Sequence, residues 1–510
     1  MSRSLFARLN QRYGRPIDVF TRREMLAATL AGSAGLLLSR LPVFAQAPAA
    51  AKANGKSVVV IGAGFSGLAC AHELLSAGYD VSIVEARNRV SGRVISFGDL
   101  VPNKNVEGGG ELIGSNHPTW VNYAQKFGLE FLDVTEDKEA EAPMVIGGKR
   151  LSEEESSKLW EEMDAALSKM NDDARKVDPD EPWKAANAAA LDKKTTQNWI
   201  DSLDGSELLK KAVWIQLAAD NGQDPSRQSY LGNLTQVAGG GVEKYWTESE
   251  VYRCKGGNMQ LAQKLAAAIG RDRITLKLPV TQVEAKGRGG MVVTCADGRT
   301  LECDDVVLAT PPTTWGKIQF NPGLPRALAP QMGHNVKYLA AVKGRFWKEK
   351  KLSPDSLTDG LVSMTWEGTD NQPGDEGASL NCFSGGPQAQ QARDFPKDRR
   401  DGEYGAELEK LYPGFKASFV QARFMDWPGD PWTLAGYSFP GPGQVTTVGP
   451  LMRKGVGNLH FCGEHTSYKF VGYMEGALNS GAALAKRLAQ RDGLLKEEKQ
   501  ELKKAASLLP

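Results

Sequence analysis

Cysteine is scarce and unpatterned in this chain. Its six residues (Cys70, Cys254, Cys295, Cys303, Cys382 and Cys462) form no C-x-x-C and no metal-ligand spacing, so free thiols are expected, with no bound metal and no disulfide scaffold. Cys295 and Cys303 flank an Asp297-Gly298 turn, but a two-residue turn sets 295 against 300 and leaves the two thiols out of register. An excess of one charge is lacking too. Lys and Arg number 62 against 61 Asp and Glu, which gives no electrostatic footing for nucleic acid or an anionic membrane. No apolar run reaches the roughly 20 residues that span a bilayer. No Ser-His-Asp order or carboxylate pair suggests hydrolysis, and no internal repeat is present.

What charge asymmetry exists lies at the start. Residues 1–47 carry seven arginines against Asp18 and Glu24. A basic stretch leads into Thr21-Arg22-Arg23-Glu24-Met25-Leu26, then a mild apolar run to Leu38, then Ala45-Gln46-Ala47. Basic region, short apolar segment and small-x-small site are the parts of a secretory signal, and the adjacent arginines resemble a twin-arginine signal. The expectation is export of a folded protein by the twin-arginine machinery to a periplasmic or secreted location. An Ala/Pro-rich linker from Ala47 to Ala53 follows.

The body opens with Ser57-Val58-Val59-Val60-Ile61, a β-branched run of the kind buried on both faces of a parallel sheet. Gly62-Ala63-Gly64-Phe65-Ser66-Gly67 follows, then a helical pattern from Leu68 to Ala77 and a second strand, Asp80 to Glu85. A lone G-x-G-x-x-G is weak evidence. Here it sits between strand and helix, with Glu85 eighteen residues after Gly67, and that context predicts a dinucleotide site. Gly62 permits the tight turn, Gly64 lets backbone approach a pyrophosphate, and Gly67 lets the helix pack close. The helix N-terminus with Ser66 faces the phosphates, and Glu85 is placed to accept from a ribose diol.

The next run, Glu85-Ala86-Arg87-Asn88-Arg89-Val90-Ser91-Gly92-Arg93, resembles E-A-R-x-R-x-G-G-R of the flavin-containing amine oxidases, with Ser91 in place of a glycine. Three further blocks are similar to monoamine oxidase-like proteins, in the same order. They are Cys254 to Leu261 with Leu278-Pro279-Val280; Val307 to Pro312 through Pro322 to Lys337 and Phe346-Trp347; and Phe461-Cys462-Gly463-Glu464-His465-Thr466 with Gly472-Tyr473-Met474-Glu475-Gly476-Ala477.

The resemblance implies FAD, with Ala86, Arg87, Arg93, Val280, Gly463, Glu464 and Met474 joining Gly62, Gly64, Ser66, Gly67 and Glu85 around it. It places Lys337, ten residues before Trp347, where relatives hold a water against flavin N5. It implies that Tyr473 and Tyr437 form an aromatic pair flanking the amine, with Phe383 in the substrate cavity. Gly436 stands where relatives attach flavin to cysteine, so non-covalent FAD is expected. Where L-amino acid oxidases carry a carboxylate-binding arginine, this chain has Gly109-Gly110-Glu111-Leu112. Glu111 there suits a cationic group, although Arg253 or Arg423 could supply a carboxylate partner instead. His117, in a turn, is read as structural ahead of substrate-binding.

These readings imply an α/β protein. A doubly wound, Rossmann-like FAD-binding domain is expected from residues 56–118, 250–325 and 430–490. An α+β substrate domain takes 119–249 and 326–429, and 491–510 is a charged helical tail. The activity implied is oxidation of the C–N bond of a primary amine, polyamine or basic amino acid with O₂. Imine and H₂O₂ are the products, and the imine hydrolyses to aldehyde or keto acid plus ammonia. A general L-amino acid oxidase, a C–C desaturase or porphyrinogen-type oxidase, and a non-catalytic FAD protein are the alternatives, and association into a homo-oligomer stays open.

Overall fold

Val58 and Val60 leave one side of the strand Ser57–Ile61, Val59 and Ile61 leave the other, and all are buried. Such a strand requires cover on both faces. In a computed structural model, which describes residues 5–14, 29, 36–38, 54–135, 140–374 and 376–495, it lies at the centre of a five-stranded parallel sheet. Across the sheet the order is Ile274–Thr275, Asp80–Val84, Ser57–Ile61, Asp305–Leu308, Leu459–Phe461. Counted along the chain this is 3-2-1-4-5, a doubly wound order that reverses beside Ser57–Ile61. Val58 and Val60 pack with residues of the helices Phe65–Ser76, Met259–Ile269 and Met474–Arg491. Val59 and Ile61 pack with Val283, Val293 and Cys295. Those three belong to a four-stranded sheet of Val280–Ala285, Met291–Cys295, Thr300–Cys303 and Gln319–Asn321.

A second body is built on a seven-stranded sheet in the order Phe419–Asp426, Asn335–Val342, Ala378–Gly385, Met364–Glu367, Ser356–Thr358, Met144–Ile146, Lys149–Arg150. Its pairings are antiparallel except between Ser356–Thr358 and Met144–Ile146. Strand Asn335–Val342 is buried at every position, and its alternation decides what faces what. Tyr338, Ala340 and Val342 pack with Trp347, Tyr404 and Leu408 inside the second body. Leu339 and Ala341 pack with Leu100, Val101 and Val106 of the first. Lys337 shares the period-two register of Leu339 and Ala341. The fold is therefore a doubly wound α/β domain joined to an α+β domain.

The first body runs past residue 118. Trp120, Tyr123 and Ala124 of the helix Pro118–Phe127 are buried in the cluster that holds the helix Phe65–Ser76. Phe131–Asp133 pairs with Tyr252–Cys254. The helix is fastened by Glu475, which accepts from the amides of Thr119 and Trp120, both at 2.9 Å.

Part of the segment read from the sequence as an export signal lies against the body. Phe6 and Leu9 of the helix Leu5–Tyr13 are buried in the core cluster, and Arg12 pairs with Glu153 at 2.8 Å. Arg22-Arg23, the small-x-small site, the linker and most of the charged tail lie outside the described residues. The Asp297-Gly298 turn is longer than a two-residue loop, because Cys295 N donates to Arg299 O; Cys303 pairs with Met291 and does not face Cys295. All six cysteines are buried and free. Among the described residues no His/Cys/Asp/Glu group could hold a metal, and no helix is long and apolar enough to cross a membrane.

Candidate active site

The turn after strand Ser57–Ile61 is closed by backbone contact. A Cβ on Gly67 would lie 2.0 Å from Gly62 O, so only glycine lets the helix Phe65–Ser76 start this close to the strand. Gly64 faces open space, its nearest neighbour being Gly92 Cα at 3.9 Å from a built Cβ. Glu85 ends its strand by accepting from Ala63 N and Arg87 N, each at 2.7 Å. Two backbone segments are thereby pinned around one carboxylate.

From this turn a partly open cavity, about 1500 Å³ with its open mouth included, runs between the two bodies. Its walls include Gly62, Gly64, Ser66, Glu85, Ala86, Arg93 and Val280 at one end. Lys337, Phe383, Gly436, Tyr437, Gly463, Glu464, Tyr473 and Met474 also line it. Gly67 is not in the wall; its part is the close packing. Lys337 and Phe383 are brought together by register, as direct partners on adjacent antiparallel strands.

Two residues that sequence reading passed over lie in the wall. Thr310 Oγ1 and both ring nitrogens of His465 are buried polar atoms without a hydrogen-bond partner among the described residues. Burial pushes the His465 imidazole down to about 4. Buried polar groups of this kind are normally satisfied, so the cavity suits a large ligand rich in donors and acceptors. Both residues sat inside the matching blocks, but nothing in their local sequence marks them as wall residues.

Several expected residues are already engaged. The Arg87 guanidinium holds Asp430 bidentately, at 2.6 and 2.7 Å, and Thr433 at 2.8 Å. Its charge is thus paired with a protein carboxylate while the residue still lines the cavity. Arg93 donates to Gly436 O at 2.6 Å and to Glu464 at 3.0 Å. Glu464 also accepts from Ser438 Oγ at 2.6 Å and Gly472 N at 2.9 Å. Burial opposes its charge, yet Arg93 and these donors hold its carboxyl below the usual range. It ties together the three loops that carry Arg93, Tyr437 and Tyr473.

Glu111 is corrected outright. It does not line the cavity. Its carboxylate accepts from Lys337 Nζ at 2.6 Å, Trp366 Nε1 at 2.9 Å and Asn381 Nδ2 at 3.2 Å, and it lies 3.8 Å from Arg253. The cation it meets is Lys337. His117 has its turn role: Nδ1 accepts from Gly114 N at 2.8 Å, and the ring packs against Tyr473 with centroids 5.1 Å apart. Neither Arg253 nor Arg423 reaches the cavity. Arg253 bonds the Glu367 and Gly368 carbonyls and pairs with Asp370, while Arg423 pairs with Asp99 at 3.1 Å.

A family model described as flavin containing amine oxidoreductase matches residues 65–489. The chain belongs to that family. It is 27% identical over 454 residues to the flavin-containing amine oxidase A of Sus scrofa, covering 84% of each chain. It is 26% identical to amine oxidase B of Homo sapiens, covering 87% of this chain and 88% of that one. Among solved structures it resembles cyclohexylamine oxidase from Brevibacterium oxydans IH-35A (TM-score 0.77, 27% identity), covering 86% of this chain and 99% of that one.

The protein is thus an FAD-dependent amine oxidase. The cavity, its glycine cradle and its orphaned polar atoms fit FAD. The flavin is held without a covalent bond, because residue 436 has no sulfur. When bound, FAD would supply the two-electron redox chemistry that converts amine and O₂ to imine and H₂O₂. The residues of the chain hold, orient and dry the site.

Proposed function

We propose that the substrate is a cationic amine: a primary amine, a polyamine or a basic amino acid. One observation carries this reading. Tyr437 and Tyr473 line the cavity, and two acids outside its wall, Asp220 and Glu250, act on them electrostatically. Tyr473 OH donates to Glu250 at 3.2 Å, and Tyr437 OH to Ala219 O at 3.1 Å. Burial first, then the negative charges of Glu250 and Asp220, hold both phenols well above their ordinary range. A negative field at the tyrosines favours a cation arriving there. The acid expected for this purpose, Glu111, is spent on Lys337, and Asp220 and Glu250 supply the field instead.

A general L-amino acid oxidase would require a cation for the substrate carboxylate. Among the described residues Arg87, Arg93, Lys317 and Lys337 line the cavity; Arg87, Arg93 and Lys337 are paired with Asp430, Glu464 and Glu111, and Lys317 donates to Pro431 O. Within this reading Tyr437 and Tyr473 orient the amine, Phe383 packs against it, and Lys337 supplies charge at the redox centre. The test is H₂O₂ release across a panel of mono-, di- and polyamines and L-amino acids. Turnover of cationic amines is expected, and robust turnover of neutral L-amino acids with none of amines would sink the reading.

We also propose that the enzyme acts after twin-arginine export. The support is Arg22-Arg23, the short apolar run and Ala45-Gln46-Ala47. Wild-type protein should fractionate outside the cytoplasm, and the double substitution Arg22→Lys, Arg23→Lys should retain it inside. Equal distribution of the two would end the proposal.

A further inference from the structure

A second, smaller cavity lies behind part of the large cavity's wall. It measures about 550 Å³ with its open mouth included. Phe461, Thr466 and Ser467 line it, whereas Gly463, Glu464 and His465 of the same segment line the large cavity. The helix Met474–Arg491 supplies one side through Asn479, Ala483 and Arg487, which recur at helical spacing. Its other face, with Leu478, Ala482 and Ala485, is buried in the core with Val58 and Val60 of the parallel sheet. The helices Gln444–Lys454 and Pro182–Lys184 complete the lining with Arg453 and Trp183.

The lining is basic, with Arg453, Lys469 and Arg487 against Asp180 alone. Lys469 holds that acid at 2.7 Å, while Arg453 donates to Asp180 O at 3.1 Å and stands 3.9 Å from Glu181. Arg487 is partly buried and has neither a hydrogen bond nor a carboxylate among the described residues. Burial and then the charge of Arg453 pull its guanidinium below the ordinary value. One turn on, Arg491 is held above that value by Asp305 and Asp492, as a paired arginine should be. Ser467 is 7% exposed, and its Oγ also lacks a partner among the described residues. Donors left unmatched in one recess are costly until an acceptor meets them.

We propose that this recess binds a phosphate group, with Arg487 and Ser467 as its direct donors and Arg453 and Lys469 as the surrounding charge. The guanidinium fork takes two oxygens of an oxyanion. A third oxygen then remains for the Ser467 hydroxyl, which a carboxylate could not offer. Three cations against one acid also suit a dianion. Trp183 and Met452, in the same lining, give an apolar surface on which the organic part of a phosphate monoester can rest. The site lies outside the amine-oxidising cavity and does not depend on which amine is oxidised.

The experiment is isothermal titration calorimetry on holoenzyme in excess FAD, so that the pyrophosphate cradle at Gly62 and Gly64 is already filled. Inorganic phosphate and phenyl phosphate are titrated in turn, with chloride of matched ionic strength as the reference. Saturable binding beyond chloride is expected. A tighter phenyl phosphate assigns the monoester, and a tighter inorganic phosphate assigns the free ion. Arg487→Gln should weaken binding by about tenfold or more, the usual effect of deleting a charge-assisted contact. Arg453→Gln, at the exposed rim, should weaken it less and covers the case in which Arg487→Gln does not fold. Heats no larger than those of chloride overturn the proposal. So does an affinity left unchanged by Arg487→Gln, or by Arg453→Gln and Ser467→Ala together.

Discussion

Asn335 decides what residue 436 can be. A Cβ at Gly436 would meet Asn335 Oδ1 at 2.1 Å, and Asn335 is buried at the start of its strand. Position 436 is thus closed to any side chain unless Asn335 moves. Gly436→Cys is expected to destabilise the protein by about 1–3 kcal/mol, the usual result of overpacking. It should also fail to link flavin covalently, so acid precipitation should release all the yellow colour into the supernatant. Colour retained in the pellet would show that the wall yields. Residue identity alone pointed to non-covalent FAD; the crowding by Asn335, a hundred residues earlier, was not legible. The same limit hid the pair of Glu111 and Lys337, which are 226 residues apart. Local sequence shows an acid after a glycine run and a lysine in a strand, but whether they meet depends on how two sheets are docked.

At the scale of elements, the junction between helices Pro118–Phe127 and Met474–Arg491 is a pH-sensitive clasp. Glu475 accepts from Thr119 N and Oγ1 and from Trp120 N, yet burial pushes its carboxyl up to about 7 from 4.5. Between those values the folded protein binds a proton that the unfolded chain releases. Stability therefore falls as pH rises through the window, by up to about 3 kcal/mol for this group. Glu107, pushed up to about 7 by burial, adds a slope of the same sign. Buried His72, His117 and His465, held down at about 4, 3 and 4, give an opposing rise below their ordinary value. The test is therefore the difference: the melting temperature of wild type relative to Glu475→Gln should fall from pH 5 to 8. Equal slopes would show that Glu475 is not the clasp. Contiguous elements were the legible ones here. The strand-turn-helix from Ser57 to Ser76 declares itself because turn glycines and periodicity lie side by side. The membership of helix Pro118–Phe127 did not, since the acid that fastens it comes from Glu475.

Across the whole molecule, the order of segments along the chain was readable from motif blocks, and the parallel sheet draws its strands from each of the three FAD-binding segments. The segment Leu151–Val242 offered no motif, and it holds Asp220, one of the acids that now carry the substrate reading; Glu250 follows just beyond it. Side chains that create a field without touching a cofactor leave no spacing pattern to find.

The sheet's final strand, Leu459–Phe461, and the wall residues Gly463, Glu464, Tyr473 and Met474 come from the last tenth of the chain, while the glycine cradle comes from residues 62–67. A growing polypeptide thus exposes its glycine cradle long before these closing wall residues leave the ribosome. A complete flavin-binding wall therefore exists only once residues 463–474 have been made.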